Sequence, residues 1–183
     1  LNGGEFENYS MGGVTSQAEP VSSGRNTLRQ MRDDRWELVR PSGQTSFGER
    51  ADGWILGKND DVAVAVSLRH FWQQWPKSLW IEPGSIGVGL LPEFQAQEMS
   101  TDDPIELAKL LYNYRDDKYV LPKGLQKSHE MYLWVGPSRQ SLSAGAEFGR
   151  ESEFVLKARP DPHYIAGTGA LGDVAALDAQ TFP

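Results

Sequence analysis

Val62-Ala63-Val64-Ala65-Val66-Ser67-Leu68-Arg69-His70 is the stretch on which the fold turns. Branched and small apolar residues follow one another with no helix former of any length, the signature of a strand held between neighbours inside a sheet. Working outward, residues 78–82 and 85–91 read as two further short strands, and the Pro83-Gly84 dipeptide between them marks the turn of a hairpin. Upstream, residues 34–40 alternate Trp36, Leu38 and Arg40 against Glu37 and Val39 before the turn Pro41-Ser42-Gly43. A turn-rich run from Phe47 to Gly53 then leads into Trp54-Ile55-Leu56. Downstream, residues 119–121 and 129–135 return to strand character across Pro122-Lys123-Gly124, which predicts a meander.

Helical signals are few. Between Asp102 and Tyr114, Asp103 can cap and Pro104 suits the first helical position, so a short helix is expected there. Residues 141–148 allow a helical turn and residues 153–157 a last strand. Hydrophobic residues make up 39% of the 183, and 19 Gly with 11 Pro supply frequent turns, so the expected fold is all-β: an antiparallel β-sandwich with one or two short helices. Residues 25–169 are expected to form it. Residues 1–24, rich in Gly, Ser, Asn and Glu, read as a linker or the tail of a preceding element without regular structure, and residues 170–183 as lying beyond the core. Leu1 to Glu7 carries neither an initiator Met nor a signal pattern, which suggests a chain cut at its front.

Composition narrows the partners. The 18 Lys and Arg against 25 Asp and Glu leave a net charge of −7, so no global positive field draws in nucleic acid. No apolar run approaches the ~18 residues of a membrane span. Cysteine is absent, which removes disulfides and thiolate metal sites. There is no Gly-rich phosphate loop, no His-Glu-x-x-His helix and no Gly-x-Ser-x-Gly elbow, so neither a metal nor a cofactor is expected. The adjacent acids Asp102-Asp103 and Asp116-Asp117 read as caps and turn residues.

Chemistry concentrates where the deciding strand ends, in Arg69-His70-Phe71-Trp72-Gln73-Gln74-Trp75-Pro76-Lys77. No carboxylate occurs from Val62 to Ile81, so in an acidic chain this segment is conspicuously basic. Indole faces stack on the C–H faces of sugar rings, amides satisfy hydroxyls, and Arg or Lys pairs with a carboxylate, so Arg69, Trp72, Gln73 and Trp75 are candidate sugar contacts. The competing reading makes the aromatics core and Arg69 and Lys77 solvated strand ends. A second basic run, Lys123-Gly124-Leu125-Gln126-Lys127-Ser128-His129, adds Lys127 as a weaker contact. His70 and His129 stand beside cations at strand edges, where a histidine can act as a base near neutral pH. His163 lies in a Pro-rich extended segment and is expected to pack or cap locally.

The run Gly48-Glu49-Arg50-Ala51-Asp52-Gly53-Trp54, then Val64-Ala65-Val66 leading into Arg69 to Lys77, and the later Lys123 to Glu130, resembles the exo-rhamnogalacturonan lyase and YetA-like family over residues 22–169. The resemblance implies a central β-sandwich between an N-terminal barrel and a C-terminal α/α toroid, whose start would be residues 170–183. It implies a secreted or periplasmic protein acting on acidic, rhamnogalacturonan-type polysaccharide by β-elimination: a base removes the C5 proton of a galacturonate whose carboxylate is neutralised, and the bond at C4 breaks. In that reading His70, Lys77 and His129 are the catalytic candidates, lent to a site shared with the toroid. The alternative is a structural or sugar-binding sandwich without catalytic residues.

Overall fold

The computed structural model describes residues 4–94, 104–105, 108, 114–115, 118–124, 126–138, 142–153, 161–170 and 172. Its elements are β1 (Asn8–Met11), β2 (Glu19–Pro20), β3 (Asn26–Arg32), β4 (Arg35–Val39), β5 (Thr45–Gly48), β6 (Trp54–Lys58), β7 (Val62–Leu68), β8 (Lys77–Glu82), β9 (Ser85–Gly89), β10 (Tyr114–Arg115), β11 (Lys118–Tyr119), β12 (Met131–Pro137), α1 (Leu142–Glu153) and α2 (Pro162–Thr168). The first sheet runs β12-β7-β6-β1-β2 and the second β5-β4-β3-β8-β9, every neighbouring pair antiparallel, while β10 and β11 form a small separate ladder. The described residues therefore form the expected all-β sandwich, with α1 and α2 as short helices.

Period-two alternation makes the core. Tyr9, Met11, Ile55, Val66 and Leu68 of the first sheet meet Leu28, Trp36, Leu38, Leu79 and Ile81 of the second. The first sheet is also covered behind, where Trp54, Leu56, Ala63 and Ala65 pack under Trp134 and Phe148 of α1. That is why β7, with β6 and β12 on its two sides, is apolar but for Ser67. Close approach of α1 needs glycine: a Cβ at Gly149 would lie 1.9 Å from Trp54 Cδ1, and one at Gly12 would lie 2.0 Å from Nε1 of the same indole. One turn further on, Ser152 Oγ donates to Gly149 O at 2.7 Å, so Ser67 is the donor in the buried 2.5 Å Ser67–Ser152 hydroxyl contact.

Four expectations are corrected. Residues 8–20 supply β1 and β2, because Tyr9 and Met11 are fully buried and the chain before β3 completes the first sheet. β12 pairs with β7 rather than with β11, so the 119–135 stretch is not a meander. Glu153 ends α1 instead of opening a strand, and residues 154–157 fall outside the described residues. His163 sits in α2, not in extended chain: Pro162 begins the helix, and Asp161 caps it by accepting from the backbone N–H groups of His163 and Tyr164 at 2.7 and 3.3 Å. Of the helix predicted over 102–114, Pro104, Ile105 and Ala108 are helical, Tyr114 begins β10, and the rest falls outside the described residues.

Candidate functional site

The crossover from β7 to β8 carries the chain between the sheets, and the segment entering β12 runs beside it. Their junction continues the β7–β12 ladder: beyond the Leu68–Met131 pair, Arg69 N–H donates to Glu130 O at 3.0 Å. Arg69 Nη1 also donates to Glu130 Oε2 at 2.7 Å, and that carboxylate accepts Tyr132 OH at 3.2 Å. Arg69 is thus engaged within the protein rather than presented to a ligand. At His70 the backbone takes φ +56, a left-handed turn uncommon for a residue with a side chain. The turn drives Phe71 into the core and aims the His70 N–H at Glu153 Oε1, 2.9 Å away, with Nδ1 3.5 Å from the other oxygen. Gly149 is what brings Glu153 here, since docking α1 tightly on Trp54 places the next turn of the helix over the crossover.

On that side of the crossover Asp52, Trp72, Gln73, Gly149, Arg150 and Glu153 line a cleft of about 230 Å³. The half-buried Trp72 indole has the Arg50 guanidinium 4.3 Å from its ring centroid, and Arg50 Nε donates to Asp33 O at 3.3 Å. Indole, amide, carboxylates and guanidinium groups in one cleft provide a stacking face with both donors and acceptors for hydroxyls. Trp75 does not line it.

On the other side Gln74 is the hub. Its N–H donates to His70 O at 2.8 Å, its carbonyl accepts from Lys127 Nζ at 3.4 Å, and its side-chain oxygen meets His129 Nδ1 at 3.0 Å. An amide oxygen only accepts, so His129 donates through Nδ1, and in the neutral ring Nε2 holds the lone pair. After the cis Trp75–Pro76 peptide comes Lys77, expected at the surface but with 0% of its area exposed. Its Nζ donates to Pro76 O at 3.0 Å and Leu90 O at 2.8 Å. Burial, and then the charge of Lys127, push its pKa down from 10.5 to about 7. Burial, with Lys77 and Lys127 close by, also holds His129 below its ordinary value.

The predicted residues therefore gather at one end of the sandwich but divide between two faces of one turn. Trp72 and Gln73 line the cleft, with His70 against its Glu153; Lys127 and His129 bond Gln74, and Lys77 lies close to both. Arg50, Asp52, Arg150 and Glu153 were not anticipated as site residues, although Arg50 and Asp52 stand in the quoted 48–54 run, and Arg150 and Glu153 share a helix face three residues apart. Among the described residues no group of three or more His, Asp or Glu side chains could hold a metal, and no helix is long and apolar enough to cross a membrane. Neither protein-family models nor curated proteins give a match to this chain.

Proposed function

We propose that this domain is the carbohydrate-contacting sandwich of a protein that degrades acidic, rhamnogalacturonan-type polysaccharide, with the Trp72 cleft receiving the sugar. The observation that carries the reading is the half-buried indole set in a cleft beside Gln73, Asp52, Arg150 and Glu153. Such a mixture suits a ring with apolar faces and a hydroxyl edge. In this reading the flanking barrel and toroid implied by the resemblance are its partners, and the protein meets its polysaccharide outside the cytoplasm. Titration with pectin-derived oligosaccharides tests it: Trp72→Ala should weaken binding with the thermal melt preserved, whereas unchanged binding would sink the reading.

The His70–Glu153 contact favours a second, catalytic reading, participation in β-elimination. A carboxylate beside Nδ1 orients the ring, as a base removing a C5 proton requires. The C5–H electrons would form the C4–C5 double bond as the C4–O bond breaks, and the departing oxygen would take a proton. Lys127, exposed at the same end, and Arg150 of the cleft are the cations within this end of the domain for the uronate carboxylate, while Lys77 is too buried to touch it. Absorbance of the unsaturated uronate product separates the readings, because loss of that signal in His70→Gln with retained binding supports catalysis.

A further inference from the structure

Lys127 and His129 bond Gln74, Lys77 lies close to both, and among the described residues the hydrogen bonds of the three run only to Gln74 and to backbone carbonyls. The elements packed here are the crossover, the start of β8, the chain just after β9 and the segment 126–130. Of their other titratable groups, Glu130 is held by Arg69 and Tyr132, His70 faces Glu153, and Glu93, beyond β9, is exposed. Lys77 shows why the imbalance matters. A neutral amine has two N–H groups, which match the carbonyls of Pro76 and Leu90, but an ammonium has three donors, and among the described residues no third acceptor meets it. The site tolerates the neutral form and waits for negative charge to favour the other.

We propose that Lys127 and His129 form the rim of an oxyanion subsite, accepting a carboxylate or sulfate group, and that buried Lys77 behind them takes up a proton from solvent when the anion binds. Lys77 is a positioning residue in this scheme. It does not touch the anion; its charge strengthens the field at the rim, so affinity depends on pH. Its depressed pKa near 7 places that exchange at neutral pH. The inference goes beyond the carbohydrate reading, since any small oxyanion has the required chemistry.

Sulfate is the discriminating probe, because its own charge is constant over the relevant range. Calorimetric titration of the chain with sodium sulfate at fixed ionic strength should give about tenfold tighter binding near pH 6.5 than near pH 9, with net proton uptake, matching a rise of about one unit in the Lys77 pKa on binding. Amide shifts should move at Lys127 and His129, Lys127→Ala should abolish them, and Lys77→Met should leave binding but flatten its pH dependence. Equal affinity at both pH values, a pH dependence that survives Lys77→Met, or shifts away from residues 126–130 would overturn the proposal. The ¹⁵N titration of Lys77 Nζ in the unmodified protein reads the same proton should that variant not fold, and a titration that sulfate leaves unmoved counts equally against it. Methyl galacturonide and neutral methyl galactoside complete the comparison. Sulfate binding without sugar binding upholds this subsite and defeats the carbohydrate reading, while stacking of both sugars at Trp72 without a sulfate site does the reverse.

Discussion

Glu19 and Lys77 are both charged side chains drawn into this fold, and their surroundings compensate them differently. Arg40 grips Glu19 with two donors, Nε at 2.8 Å and Nη2 at 2.7 Å, and Tyr9 OH gives a third hydrogen bond at 2.7 Å. The Arg40 bonds hold the Glu19 carboxyl below its ordinary pKa, while burial, reinforced by Glu19, raises that of Tyr9. This network ties β1 and β2 to the chain leaving β4, and every charge in it is answered. Around Gln74 the fold gathers two lysines and a histidine and, among the described residues, answers none of them with an acid. Balanced charge at one place joins the layers, whereas unbalanced charge at the other lowers proton affinity and leaves room for an anion.

The contrast breaks most sharply at the balanced cluster. Glu19→Gln should cost about 3 kcal/mol in chemical denaturation, because it leaves Arg40 without its bidentate partner. In the unmodified protein that contribution is present above the ordinary carboxylate value of 4.5 and is lost as pH falls toward the depressed folded value. A change under about 0.5 kcal/mol would show that the network is a surface pair and the comparison empty.

Lys77 predicts a slope of the same sign in a higher pH window, arising from a destabilised charge rather than a stabilised one. The unfolded chain takes its proton near 10.5 and the folded chain near 7, so between those values the unfolded state binds more protons. Stability should rise with pH there, by at most about 1.4 kcal/mol per unit, and should be flat below pH 7 as far as Lys77 is concerned. Lys77→Met should remove the slope. Melts across that window that are parallel in the two proteins would mean that Lys77 is charged inside.

Smaller effects sharpen the division between the two faces of the crossover. Trp72→Ala should weaken neutral and acidic oligosaccharides alike by about tenfold, roughly 1.4 kcal/mol, with little change in stability. A loss of about 3 kcal/mol or more in the melt would make Trp72 core instead. Lys127→Ala should weaken acidic ligands a few-fold at low salt, an effect that fades above roughly 0.1 M as screening sets in. A salt-independent loss would mean that Lys127 acts through structure.

Residues whose burial is apolar were readable in the chain. β7, β6 and the β8–β9 hairpin follow from runs of Val, Ile and Leu with a Pro-Gly turn, signals that depend on near neighbours. β3 escaped notice because two of its core-facing positions are amides. Asn26 and Gln30 flank Leu28 at period two, and Gln30 is tolerated inside because its side chain donates to Arg32 O and Glu49 O and accepts from Ala51 N–H. β1 was hidden by its length and its Gly-rich flanks. At the site, the sequence segregated the basic segments correctly but not their depth. Nothing local distinguishes Lys77 from a solvated strand end; its burial depends on the carbonyl of Leu90, thirteen residues away in the chain. Glu153 reaches His70 across eighty-three residues by way of a helix that docks through glycine.

The left-handed backbone at His70 reverses the usual ranking of conservative substitutions. At φ +56 a Cβ is a burden of about 1 kcal/mol, so alanine keeps the burden and discards the imidazole, while glycine discards both. Alanine scanning at this position would therefore lose the ring while keeping the backbone cost, and would not show what the turn itself requires. Asparagine, which tolerates the same conformation and lacks a titrating ring, is the cleaner control, and glycine gives the turn its ease without the side chain. Reading the three variants together separates what the imidazole does from what its placement costs, which makes residue 70 an internal calibration point for every other substitution in the crossover.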